Sequence, residues 1–183
     1  MINKNKLFRQ IHIYISLFFL PLALLFSITG IAYILGANQD TGIKEQTYTV
    51  KAKVEEGLEK DFILNFLKEK NLKLPSDEIL KTKDGSFALG GVHYSVSLKK
   101  INDEELSITT STRSFLGDMI MLHKDKAKWY FSILSIGFGL TLLVLYFSGL
   151  MITLIAIKKD RKPQILTVVL GFLVTMILAY MSL

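Results

Sequence analysis

Three stretches of the chain carry no charge and are long: residues 11–35 (IHIYISLFFLPLALLFSITGIAYIL), 129–157 and 164–183. About 20 apolar residues cross ~30 Å of hydrocarbon as a helix, so each stretch predicts a transmembrane helix. The two longer ones have residues to spare for tilt. The first is too long for the core of a signal peptide and no A-x-A step follows it, which predicts an anchor that is kept. Pro21 removes the amide that would serve the carbonyl of Leu17 and predicts a bend. Trp129 and Tyr130, opening the second stretch, predict an aromatic belt at the membrane interface.

Between the first two stretches the period changes. Leu58, Phe62, Ile63, Phe66 and Leu67 repeat as one face of a helix, which Pro75 and Ser76 are expected to end. In EILKTKDGSFALGG, Asp84-Gly85 is a hairpin turn between short strands. HYSVSLKK alternates, with Tyr94, Val96 and Leu98 on one face and His93, Ser95 and Ser97 on the other. INDEE makes a turn and LSITTSTR a further strand. The fold class is therefore membrane α-helical, three transmembrane helices with a small α+β domain between helices 1 and 2. Its parts are 1–36 (N-terminus and first helix), 37–113 (outer domain), 114–128 (lead-in), 129–157 (second helix), 158–163 (loop) and 164–183 (third helix).

The lead-in carries Phe115, Leu116, Met119, Ile120 and Leu122, an apolar set suited to lying flat on a membrane. A straight helix into the second stretch would lift His123 about 9 Å above Trp129. A turn at HKDKAK instead leaves His123 at the rim, facing Thr29-Gly30, and this is the expected geometry.

Charge orients the chain. The 22 basic and 16 acidic residues give +6, yet 15 of each fall within residues 36–128 and cancel. The excess sits on Lys4, Lys6 and Arg9, and on Lys158, Lys159, Arg161 and Lys162 against Asp160. Positive charge flanking apolar helices marks the cytoplasmic side, so residues 37–127 and the C-terminus fall outside. The partner this implies is a lipid bilayer, with no nucleic acid.

Cysteine is absent, which excludes disulfides and thiolate sites, and the histidines are His12, His93 and His123 alone. His93 falls on the polar face of its strand and reads as a solvent-side residue. Asp103, Glu104 and Glu105 read as a solvated turn. The first two apolar stretches share a plan, each with a histidine at or before its start and a small pair near its close: Thr29-Gly30 and Ser148-Gly149. Small residues commonly serve close packing of membrane helices, and they also make room for a flat cofactor held by a histidine on a facing helix.

FRQIHIYISLFFLPLALLFSITGIAYI and FLGDMIMLHKDKAKWYFSILSIGFGLTLLVLYFSGLMITL, with the domain between them, resemble the PepSY-associated transmembrane proteins of bacteria over nearly the whole chain. The resemblance implies a multi-pass protein of the bacterial inner membrane with a PepSY-like periplasmic domain. It implies haem b held by histidines, and electrons passed across the membrane to ferric complexes in siderophore-linked iron uptake. His12 and His123 match the family's histidines and would ligate haem iron; Thr29, Gly30, Ser148 and Gly149 would line the sites.

Longer relatives have four spans, and this chain reads as a short, three-span version with one histidine per membrane side. The second axial ligand would be Met119, Met121 or Met151, or come from a second copy of the chain or a partner membrane subunit. No flavin or nicotinamide fingerprint is present, since GSFALGG departs from G-x-G-x-x-G, so at most this is a component of a membrane ferric reductase. The other reading is a non-enzymatic accessory or regulatory protein whose PepSY-like domain binds an envelope partner. A transporter is disfavoured, because no span carries an interior acid or base apart from His12 near one end.

Overall fold

The structure is a computed structural model describing residues 4–55, 57–83, 85–102, 104–151 and 161–183. The elements are α1 (Lys4–Ile34), β1 (Lys44–Lys51), α2 (Glu59–Glu69), β2 (Lys81–Lys83), β3 (Ser86–Gly90), β4 (Tyr94–Lys100), β5 (Glu105–Thr112), α3 (Phe115–His123), α4 (Trp129–Met151) and α5 (Arg161–Ser182). They form two compact units, residues 1–22 with 134–183, and residues 23–133.

Among the described residues three helices are long and apolar enough to cross a membrane: Arg9–Ile34, Trp129–Met151 and Arg161–Ser182. Their large side chains point outward, Phe18, Leu143 and Phe172 being 69%, 68% and 71% exposed, and α5 buries no residue. Contiguous apolar surface on this scale marks a face that meets a membrane or another protein. Helix α1 begins ahead of the apolar stretch and runs unbroken across Pro21. Helix α5 already contains Arg161, Lys162 and Pro163, which the sequence pattern assigned to a loop. Proline is tolerated in a first turn because its missing N–H has no partner there. Residues 152–160, with the end of the second apolar stretch and Lys158, Lys159 and Asp160, lie outside the described residues.

In the first unit, Phe19 of α1 meets Phe138 of α4 with ring centroids 5.7 Å apart, and Leu22 and Phe138 are buried.

In the second unit the sheet is antiparallel, in the order β1-β5-β4-β3-β2. Strand β1 was not anticipated: KEQTYTVK pairs with the whole of β5, from Lys44 opposite Thr112 to Lys51 opposite Glu105. Register places Tyr48, Ile108, Leu98 and Phe87 side by side on one face. Ile63, Phe66 and Leu67 of α2 close on that face to form the core with Leu89, Val96 and Leu106. The opposite face carries hydroxyls, among them Thr47, Thr109 and Ser97.

Helix α2 stops at Glu69, well before Pro75. Asn71 takes a left-handed conformation (φ 51°), and the amides of Asn71 and Leu72 turn back to the carbonyls of Lys68 and Leu67. This is a Schellman motif, with Leu72 on the core beside Leu67. Asn tolerates that backbone better than most residues, so it ends the helix ahead of the proline. Gly85 is left-handed (φ 72°), as a tight hairpin requires; Asp84, its partner in the expected turn, and Asp103 of the next turn lie outside the described residues. His93 precedes β4 and is solvent-exposed as expected, its side chain 56% exposed with Nδ1 lying 2.6 Å from Asp118 Oδ2 on α3.

Candidate functional site

Helix α3 is fixed at both ends. Ser114 caps its start, accepting the Gly117 amide at 3.1 Å and donating to the Thr41 carbonyl at 2.6 Å. Gly117 must be a glycine, since a Cβ there would lie 2.7 Å from the Gln39 carbonyl oxygen. At the other end, Asp125 is left-handed (φ 55°), and the amides of Asp125 and Lys126 return to the carbonyls of Leu122 and Met121. That second Schellman motif turns the chain at HKDK. Ser132 of α4 then donates to Asp125 Oδ1 at 2.6 Å, and Lys128 Nζ donates to Asp77 Oδ2 at 2.8 Å. The Lys128 ammonium and the Ile79 amide hold the Asp77 carboxyl below its usual pKa, and the Asp77 hydrogen bond and charge raise that of Lys128.

His123 is the last helical residue of α3 and lies against α1. Its ring stacks on Phe26 (centroids 4.5 Å apart, planes at 14°), and its Nδ1 is 2.6 Å from Oγ1 of Thr29, a side chain only 1% exposed. The same Oγ1 is 2.6 Å from the Leu25 carbonyl oxygen, which can only accept. A hydroxyl has one hydrogen. Given to Leu25, it leaves Oγ1 to accept from His123 Nδ1–H, the tautomer in which a neutral imidazole keeps its lone pair on Nε2. Thr29, Gly30, Tyr33, Ile120, His123 and Lys124 line a recess of about 400 Å³.

His12, half-buried in the first unit, repeats the logic more loosely. Its Nδ1 is 3.3 Å from Ser148 Oγ, and that hydroxyl donates to the Leu145 carbonyl at 3.0 Å. Ser148 is thereby left to accept from Nδ1–H, the same tautomer that a neutral His123 would take. Ser16 Oγ donates to the His12 carbonyl at 2.7 Å without touching the ring. Neither Nε2 has a partner among the described residues.

Each histidine thus meets the hydroxyl of one small pair: His123 meets Thr29, and His12 meets Ser148. The glycines are not demanded by packing. A Cβ on Gly30 would sit 3.9 Å from His123 Cε1, an ordinary contact, and one on Gly149 would meet nothing within 4 Å. A glycine inside a helix costs about 1 kcal/mol relative to alanine, and packing among the described residues does not account for them.

Among the described residues no group of three or more His, Cys, Asp or Glu could hold a metal ion. A bare divalent ion needs three or four protein donors, whereas iron already held in a macrocycle needs only axial ones. One imidazole with its Nδ1–H anchored and its Nε2 free suits the second case, since ligating histidines hold their other ring nitrogen by a hydrogen bond. Met119 and Met121 lie on α3 together with His123, and Met151 is the last residue of α4. Phe26 and Tyr33 were missed in the sequence, and Ile120 and Lys124 were read as parts of the lead-in and its turn rather than as lining a site. Phe26, Thr29 and Tyr33 are spaced as one helix face, a signal hidden in an apolar stretch. No protein-family model matches the chain, and neither a curated protein nor a solved structure matches it.

Proposed function

We propose that this is a haem-binding electron-transfer component of a bacterial inner membrane, serving ferric-siderophore assimilation. One observation supports the haem reading: each histidine places Nδ1 beside a back-bonded helix hydroxyl, at 2.6 Å for His123 and 3.3 Å for His12, and neither Nε2 has a partner among the described residues. The iron-assimilation context rests on the resemblance to PepSY-associated proteins. Haem iron supplies a one-electron couple when bound. The chain's part is to hold it. Thr29 and Ser148 set the tautomer, Phe26 fixes the plane of the His123 ring, and Gly30 keeps the helix surface beside that ring low. The positive-inside charge pattern puts the His12 site on the cytoplasmic side and the His123 site on the periplasmic side, the order that outward electron transfer needs. Were haem bound, a second copy or a partner membrane subunit would supply the further ligand at each site, consistent with one histidine per site.

The test is the absorption spectrum of protein purified in detergent after expression with ample haem, oxidised and dithionite-reduced, alongside His12→Ala and His123→Ala. A Soret band in the parent protein, reduced in each variant and absent from the double variant, is expected. A colourless parent protein would overturn the reading. The accessory-protein reading draws on the open hydroxyl face of the sheet, with Thr47, Ser97 and Thr109 opposite the covered core. Recovery of an envelope protein with a colourless chain would favour it.

A further inference from the structure

The recess beside His123 has an apolar body and a charged mouth. Thr29, Gly30, Tyr33 and Ile120 line it, His123 forms one wall, and Lys124 caps the end of α3 beside it. The Lys124 ammonium lies 4.8 Å from the centroid of the Tyr33 ring and donates to Gln39 Oε1 at 2.8 Å. Both contacts are with uncharged groups. The nearest link to a carboxylate runs through the Gln39 amide, whose Nε2 donates to Asp40 Oδ2 at 3.0 Å, and Asp40 is itself within 3.8 Å of Arg113. The neighbouring Asp125 accepts from Ser132. Among the described residues Lys124 has no carboxylate within ion-pair distance, whereas Lys60 and Lys128 each have one. An ammonium has three N–H donors, and Gln39 accounts for one.

We propose that Lys124 binds a carboxylate of the molecule that His123 holds, namely a propionate of haem. This rests on the haem reading of the site and adds the residue that recognises the ligand's polar edge. A flat apolar body with carboxylates along one edge matches a recess with an imidazole wall, an apolar lining and a lysine ammonium among its lining residues. Tyr33 and Gln39 position the ammonium without neutralising it, so its charge is available to an incoming anion. Charge-assisted hydrogen bonds are about twice as strong as neutral ones. The cation therefore favours a porphyrin with free carboxylates over one whose carboxylates are blocked.

The experiment titrates full-length His12→Ala protein in detergent, so that only the His123 site reports, with haem and with its dimethyl ester. The same titrations follow on the added variants Lys124→Gln and His123→Ala. Lys124→Gln is expected to weaken haem binding by about tenfold, the scale of one hydrogen bond to a charged group, and to leave the ester unchanged. His123→Ala should abolish both. Equal loss for haem and ester, or no loss for haem, would overturn the role of Lys124 while leaving the haem site standing. No binding of either porphyrin would overturn the site reading and this inference with it. An anionic lipid is the other source of the same chemistry, and phosphatidylglycerol added to the titration decides it. Haem affinity unmoved by the lipid is expected; a fall in affinity that depends on Lys124 would assign the residue to lipid instead.

Discussion

The His123 site and the His12 site use the same donor and acceptor plan with different amounts of local support. His123 ends a short helix held by a serine cap, a left-handed aspartate and a Ser132 contact, and its ring has both a 2.6 Å hydrogen bond and a stacked phenyl. For the His12 ring the corresponding bond to Ser148 is 3.3 Å. One histidine is positioned by capping and turn chemistry within its own unit, the other by the packing of two long helices. A site built from capped local structure is preorganised, whereas one built from helix packing changes whenever those helices shift. The first kind suits a fixed ligand geometry.

The comparison is broken most directly at the hydroxyls. Thr29→Val keeps the shape and removes the acceptor, and loss of such a partner costs roughly 10–100-fold in affinity at metal sites. Haem titration should show that loss at the His123 site. Ser148→Ala should cost less at the His12 site, because its bond is longer. Equal effects would show that the difference in length has no consequence.

Next in size is the turn. Asp125→Ala forces alanine into a left-handed backbone at about 1–2 kcal/mol and deletes the contact to Ser132. Amide exchange over residues 120–126 should accelerate, and the His123 site should weaken while the His12 site does not. Asp125→Gly restores the backbone freedom without the carboxylate, so partial recovery separates the two contributions.

The smallest effect is in pH. The Asp77 pKa is lowered from 3.8, so its contribution is complete above that value and is lost as pH falls through the lower folded value. The Lys128 pKa is raised from 10.5, so its contribution is complete below that value and is lost as pH rises past the higher folded value. The tie therefore holds throughout the neutral range. Thermal unfolding should give the same difference between Lys128→Gln and the parent protein at pH 6 and at pH 9.

Much of this was legible because it follows from period. Uncharged stretches of helical length gave the three long helices, and alternation in HYSVSLKK and LSITTSTR gave β4 and β5. The apolar set in the lead-in, with HKDK after it, gave a helix, a turn and a histidine facing Thr29. Strand β1 was lost because Tyr48 and Val50 are its inward apolar residues and the rest of KEQTYTVK is polar, as an edge strand with mostly exposed side chains is. The end of α2 was lost because a proline is a louder signal than an asparagine, although Asn71 ends the helix. The partners of His93 and Lys124 depend on tertiary placement: Asp118 is 25 residues from the one and Gln39 is 85 from the other, distances at which no local pattern speaks.

The central claim is that His12 and His123 are each protonated on Nδ1, with the lone pair on Nε2. Nitrogen NMR of the haem-free protein with labelled histidine, in detergent at neutral pH, tests it, with His12→Ala and His123→Ala assigning the signals. The account predicts the Nδ1–H tautomer for both residues, sharpest for His123, and its loss from His123 in Thr29→Val. A proton on Nε2 of His123, or fast exchange between its two ring nitrogens, would contradict it.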